Sequence, residues 1–463
     1  MTRSVAVVGG GLAGITTALG CTDAGCAVTL YESRPRLGGL THSFSRSGLW
    51  VDNGQHVFLR CCTSYLRLLD RLGVADRVHL QHRLDVPVRS GRHPGTARLR
   101  RSNLPTLPAP LHLGGSLARY GWLSPRARLG VMRAALALGR VDRDLAETDR
   151  TGFGSWLAGH GQDARAVEAV WDLIGVATLN ARAADASLAL AATVFQLGLL
   201  EDADAADIGW SLVPLQQLHG DAAEAALAAA GVTVRARSRV TDLEPSSGGW
   251  ALHAAGRTGT GSAVSDRYDD VVLACPPEVT EALLPAEAVD RPAGWSQRLG
   301  SSPIVNVHLV FDRRVLHEPF VAAVDSPLQW VFDRTVQAGL DPATGQYLAL
   351  SLSAADDLVD LPVARLRAWV LPHLHRLLPA TARAGLREFF VTREPRATFR
   401  PAPGSRRDRP ATTTGVPGLH LAGAWTDTGW PATMEGAVRS GQAAATSVLD
   451  TPIRTPRLQE VPA

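Results

Sequence analysis

Apolar and polar positions along the 463-residue chain fall into blocks that predict a mixture of helices and strands. Residues 5–32, "VAVVGGGLAGITTALGCTDAGCAVTLYE", read as an apolar strand, a glycine turn, a helical stretch and a second strand ending in an acid. Residues 231–244 and 268–284 carry short apolar runs typical of strands, and 419–446 reads as strand, glycine turn, loop and helix, the helix starting near residues 431–433. Residues 124–141, 164–180 and 186–202 space apolar side chains three and four apart, which predicts helices packed through one face. Residues 302–312, 327–334 and 346–355 alternate instead, which predicts an antiparallel sheet.

One stretch breaks the pattern. Residues 49–62, "LWVDNGQHVFLRCC", set Asp52, Asn53, Gln55 and His56 between two apolar runs. Asp-Asn-Gly is good turn chemistry, so a tight turn is the plain expectation. What that turn faces has to come from the rest of the chain.

Gly9, Gly11 and Gly14 form G-x-G-x-x-G between the first strand and helix. The first glycine turns the chain, the second admits a pyrophosphate and the third lets the helix pack closely, while the helix N-terminus faces the phosphates. Glu32, closing the second strand, is placed to accept hydrogen bonds from a ribose. Strand, helix, second strand and acid at these distances point to a dinucleotide site.

Directly after Glu32 runs "SRPRLGGLTHS", with Arg34, Arg36, Gly38 and Gly39. It resembles the second signature of the FAD-containing amine oxidase and carotenoid desaturase superfamily, whose members often read E-x-R-x-R-x-G-G-R. That resemblance implies FAD as cofactor; the departure is Leu40, where relatives usually carry arginine. Residues 419–446, "LHLAGAWTDTGWPATMEGAVRSGQAAAT", are similar to the C-terminal FAD segment of the same superfamily. The resemblance implies Gly423 in the turn, the Met434 amide at a helix N-terminus facing the electron-rich edge of the isoalloxazine, Gly436 and Ala437 for close approach, and Val240 near the adenine. Relatives commonly place an acid at Ala424 or Trp425 to hold the ribityl chain; Asp427 is the nearest substitute here. Cys275, at a strand end, reads as a small buried apolar residue.

Two FAD segments at opposite ends of the chain imply an α/β fold. A discontinuous Rossmann-like FAD-binding domain (1–75, 215–290 and 405–450) is interleaved with an α+β substrate domain (76–214 and 291–404), and 451–463 reads as a disordered tail. Within the substrate part, Trp171, Asp172 and Asn180 are the polar groups placed to reach a pocket, although ordinary surface and core roles fit them too.

Composition narrows the class. A net charge of +3 without a long run of one sign argues against a nucleic-acid partner. Five cysteines without zinc-site spacing indicate no metal and a reduced cytoplasmic compartment. The N-terminus lacks the order of a secretion signal, and the longest apolar run, 188–200, is too short to span a bilayer. Residues 88–123 interleave arginines with Leu104, Leu107, Leu111 and Leu113; the stretch reads as a solvated hairpin or as a peripheral patch on anionic lipid at the inner face of the membrane.

"DNGQHV", "LPAPLHL", "PLQWVFDR", "REPRATF" and "WTDTGWPATMEGAVRSG" together resemble one subfamily, the squalene-associated FAD-dependent desaturases, or hydroxysqualene dehydroxylases, of hopanoid synthesis. The resemblance implies a C30 isoprenoid alcohol whose allylic hydroxyl is exchanged for hydride, giving squalene. The leaving hydroxyl then needs a general acid in a dry pocket. His56 is the first candidate to protonate or hydrogen-bond it, with Asp52 or Gln55 orienting the ring, and Asp427 is the second. The same fold would suit an oxidative polyisoprene desaturase, an amine oxidase, or a non-enzymatic prenyl-lipid carrier of the GDP-dissociation-inhibitor type. No second G-x-G-x-x-G with flanking strand and helix occurs, so the electron donor is not legible in the sequence.

Overall fold

The first strand, Ser4–Val8, pairs in parallel with Ala27–Glu32 on one side and Asp270–Leu273 on the other. Thr233–Ala236 and Leu419–Leu421 extend the sheet at its two edges. In this computed structural model, which describes residues 2–103, 107–255 and 264–451, segments from three distant parts of the chain therefore build one five-stranded parallel sheet. Leu104 and, apart from Thr451, the expected C-terminal tail lie outside the described residues. Strand order reverses between Ser4–Val8 and Asp270–Leu273, and in open α/β sheets ligands bind at the carboxyl ends of the strands beside such a reversal. Helices Leu12–Asp23 and Met434–Asp450 share one core against this sheet, through Leu12, Ile15 and Leu19 from the first and Val438, Ala444 and Val448 from the second.

A seven-stranded sheet stands beside it, in the order 386–398, 302–311, 346–353, 330–333, 320–324, 85–90 and 96–100. The alternating stretches near 302, 327 and 346 are three neighbouring antiparallel strands of it. Within this sheet 320–324 and 85–90 pair in parallel, and the other neighbouring strands are antiparallel. Helix Val363–Leu377 packs with the sheet through Leu366, Val370, Leu374 and Leu377, one stripe at helical spacing.

The three predicted helical stretches form helices Pro125–Leu138, Leu173–Leu179 and Leu188–Phe195, packed around Phe153, Trp171 and Phe195. Two of these stretches widen into π-type turns, Val167–Asp172 and Gln196–Leu200. Such turns recur at functional sites, and both contribute side chains to the cavity described next. A small sheet of Val57–Leu59, Ile208–Ser211 and Val78–Leu80 crosses the boundary expected at residue 75 and bonds the two parts of the molecule together. Among the described residues no helix is long and apolar enough to cross a membrane.

Candidate active site

A cavity of about 1860 Å³ opens at the carboxyl ends of Ser4–Val8 and Asp270–Leu273 and runs on between the helices and the seven-stranded sheet. Its sheet end is walled by Gly9, Gly11, Glu32, Arg34, Arg36, Gly38 and Gly39. Helix Leu12–Asp23 starts at Gly11 without a side-chain cap, so its first N–H groups are left for a ligand. Gly39 (φ 57°) lies against Gly11 so closely that a Cβ there would stand 2.9 Å from the Gly11 Cα. Gly14 lies outside the lining: a Cβ there would stand 1.9 Å from the Gly9 carbonyl oxygen, the close helix packing expected of the third glycine. This bare backbone cleft under an uncapped helix fits a pyrophosphate.

Glu32 accepts hydrogen bonds from the Gly10 and Arg34 N–H groups, both at 2.7 Å, which fixes its carboxylate at the cavity edge. Val240 is buried and lines the same end. Cys275 is half-buried there rather than fully buried, its thiol donating to the Val8 carbonyl. Burial pushes that thiol up to about 12, so it is an inert thiol at neutral pH.

The "DNGQHV" turn does bend towards the cavity. Gln55 and His56 line it and are half-buried. Burial holds the His56 imidazole below its ordinary pKa, while the Asp52 charge pulls the other way. Asp52 itself points elsewhere, which corrects its expected part in orienting the ring. Its carboxylate accepts from Arg334 Nη2 at 2.6 Å, from Ser43 Oγ at 2.6 Å and from the Leu215 N–H at 3.0 Å, and it lies outside the lining. Asp52 thus ties the hairpin Ser43–Arg46/Leu49–Asp52 to two other segments and makes no hydrogen bond to His56.

Asp427 also departs from expectation. It lies outside the cavity lining, because Arg406 Nε draws its carboxylate into an ion pair at 2.9 Å. The remainder of the C-terminal segment does reach the cavity: Gly423, Met434 and Ala437 line it. Thr433 caps the helix by accepting from the Gly436 N–H at 3.0 Å. Gly436 packs beneath the Pro431 carbonyl and does not line the cavity. The buried Arg409 holds the loop above, donating to the carbonyls of Trp425, Thr426 and Trp430. Trp171 and Asn180 line the chamber, whereas Asp172 caps the Ala183 N–H.

Sequence reasoning passed over three polar groups on the wall. His42 bonds the Gly39 carbonyl through Nδ1 at 3.1 Å, and desolvation lowers it to about 4. Asn306 donates to the Asn53 carbonyl at 3.1 Å. Glu394 accepts from Asn53 Nδ2, also at 3.1 Å. His42 follows the glycine pair by three positions and Glu394 sits inside "REPRATF", so the quoted motifs held the signal.

Past these groups the wall is apolar: Leu84, Val86, Val131, Ile174, Leu199, Phe320 and Phe332 among others. Helix Pro125–Leu138 faces the chamber with Val131, Met132 and Ala135, and exposes Arg126, Leu129, Arg133 and Leu136 on its other side, with Arg140 just beyond. Leu129 and Leu136 are 53% and 45% exposed, and Leu111, in the turn Leu111–Leu113, is 54% exposed.

A parallel sheet with a glycine-walled phosphate cleft and a second helix N-terminus at the same cavity defines a nucleotide-cofactor oxidoreductase fold. The family model for flavin containing amine oxidoreductases matches residues 12–449, and the chain belongs to that family. It is an FAD-dependent oxidoreductase. Hydroxysqualene dehydroxylase of Rhodopseudomonas palustris is 28% identical over 97% of this chain and 99% of its own length. A probable zeta-carotene desaturase of Synechococcus elongatus is 26% identical over 96% and 98%. Among solved structures, a triple mutant of putrescine oxidase superposes with a TM-score of 0.71 at 18% identity, covering 97% of this chain and 99% of that one.

Proposed function

We propose that the protein reductively removes the allylic hydroxyl of hydroxysqualene, a C30 isoprenoid alcohol, to give squalene. One observation carries the reading: the FAD cleft and a long apolar chamber are a single cavity, and Gln55, His56, Asn306 and Glu394 supply polar groups on its wall. FAD, when bound, supplies hydride. Residues 76–214 and 291–404 furnish the apolar walls, which receive a hydrocarbon chain and exclude water from the hydroxyl. His56, kept neutral by burial, hydrogen-bonds the hydroxyl rather than protonating it, with Gln55 beside it. The relatives named hydroxysqualene dehydroxylase support this substrate. Relatives named zeta-carotene and phytoene desaturase, at nearly equal identity, support a second reading, oxidative desaturation of a polyisoprene.

Product analysis after supplying hydroxysqualene and a chemical reductant to the flavin-loaded protein separates the two. Squalene is the expected product, formed roughly 10- to 100-fold more slowly by His56→Ala. New double bonds introduced into squalene or phytoene by the oxidised protein, with the alcohol untouched, would replace the reductive reading by the oxidative one.

The Arg/Leu face of helix Pro125–Leu138, on the reverse of the chamber wall, supports peripheral contact with anionic lipid at the inner membrane face, from which the substrate would enter. In flotation with vesicles containing phosphatidylglycerol, Arg126→Glu with Arg133→Glu is expected to cut the bound fraction severalfold. Undiminished binding would rule this face out.

A further inference from the structure

We propose that Glu394 is the proton donor to the departing hydroxyl. The inference rests on the dehydroxylation reading and adds the group that this reaction requires.

Four carboxylates line the cavity, and three are committed elsewhere or open to water. Glu32 is held by two backbone N–H groups at the phosphate end. Glu435 is fully buried, accepts from the Ser64 and Tyr65 N–H groups and pairs with Arg439. Glu278 stands at the solvent-exposed rim, 37% exposed at the side chain and 3.7 Å from the exposed Arg396, so water keeps access to it. Glu394 forms no ion pair among the described residues, although the field of its charge reaches Arg36. Its one partner is an uncharged donor, Asn53 Nδ2, at 3.1 Å on Oε1. The Asn53 amide cannot turn around, because its Oδ1 accepts from the His42 N–H while its Nδ2 also donates to the Leu40 carbonyl. Oε2 of Glu394 is therefore the oxygen left to carry a proton.

Placement agrees with the role. Glu394 lies on strand Leu386–Thr398 opposite Ile304, and Asn53 bonds it at the start of the turn that brings Gln55 and His56 to the wall. The histidines on the same wall are poor acids at neutral pH, since burial lowers both His42 and His56. An apolar chain that displaces water from the chamber disfavours ionised carboxylates in general, which is how a carboxyl serves as an acid in an apolar pocket.

The step balances. The allylic C–O bond breaks with its electron pair on oxygen, the Oε2 proton joins that oxygen, and water leaves. FAD, when bound and reduced, would supply the hydride, with both electrons, for the new C–H bond. Glu394 regains a proton from solvent.

A leaving group that needs no proton makes the test specific. Flavin-loaded, chemically reduced Glu394→Gln is given hydroxysqualene or its allylic acetate ester, alongside flavin-content and alcohol-binding measurements. Expected are parental flavin content, parental affinity for the alcohol within about threefold, a rate on the alcohol lower by roughly 10²–10⁴-fold, and a rate on the acetate within about tenfold of the parent. Glu394→Asp should restore part of the alcohol rate. Parental turnover of the alcohol by Glu394→Gln, or an equal loss on both substrates, would overturn the assignment. If the unmodified protein forms no squalene from either compound, the dehydroxylation reading itself falls and takes the assignment with it.

Discussion

Gly14→Ala is expected to purify without visible flavin absorbance. The new Cβ would stand 1.9 Å from the Gly9 carbonyl oxygen and 3.3 Å from the Ala274 Cβ, so helix Leu12–Asp23 must move off the glycine turn. Moving it misaims the uncapped N–H groups that face the phosphates, which removes the cofactor site as well as costing about 1–3 kcal/mol of overpacking. Gly175 is the control, a helical glycine where an added methyl group would meet nothing within 4 Å. Gly175→Ala should keep its flavin and gain slightly in stability through helix propensity. Full flavin content in Gly14→Ala, read from the visible spectrum, would contradict the account of the phosphate cleft.

Arg334→Met should lower the unfolding free energy by about 3–5 kcal/mol, the usual result of stranding one partner of a buried ion pair. Arg334 and Asp52 are 9% and 7% exposed at the side chain and meet at 2.6 Å, and Arg334 also donates to the Ser211 carbonyl. Asp52 in turn bonds Ser43 and the Leu215 N–H, so the pair joins three segments far apart in sequence. In a double-mutant cycle with Asp52→Asn, urea unfolding should show strong coupling between the two sites. A loss below about 1 kcal/mol for Arg334→Met would return Asp52 to the candidate catalytic groups.

Legibility in the sequence followed distance along the chain. The phosphate cleft is local: strand, three glycines, helix and acid lie within residues 4–32, and their spacing states the geometry they adopt. The second cofactor segment, ending in helix Met434–Asp450, is likewise contiguous and is readable by resemblance. Side chains whose surroundings come from afar are the ones misread. Asp52 has the chemistry to orient a neighbouring histidine, but Arg334, 282 positions downstream, claims it. Asp427 is misread for another reason: Arg406, only 21 positions upstream, draws its carboxylate away from the cavity, and no motif spacing announces that pair. Glu394 reaches Asn53, 341 positions away, through the pairing of strands Ser302–Phe311 and Leu386–Thr398. Register shifts at both ends of that pairing depart from simple alternation, so sequence pattern alone does not say which side chains meet the turn.

The most direct test is an anaerobic single turnover. Protein whose flavin has been fully reduced is mixed with hydroxysqualene in the absence of any other oxidant, and the visible spectrum and extracted lipid are followed together. Return of the oxidised flavin spectrum, with one squalene formed per flavin, is the predicted result. A flavin that stays reduced in the presence of the alcohol, in protein whose oxidised form is bleached by squalene or phytoene, would contradict it.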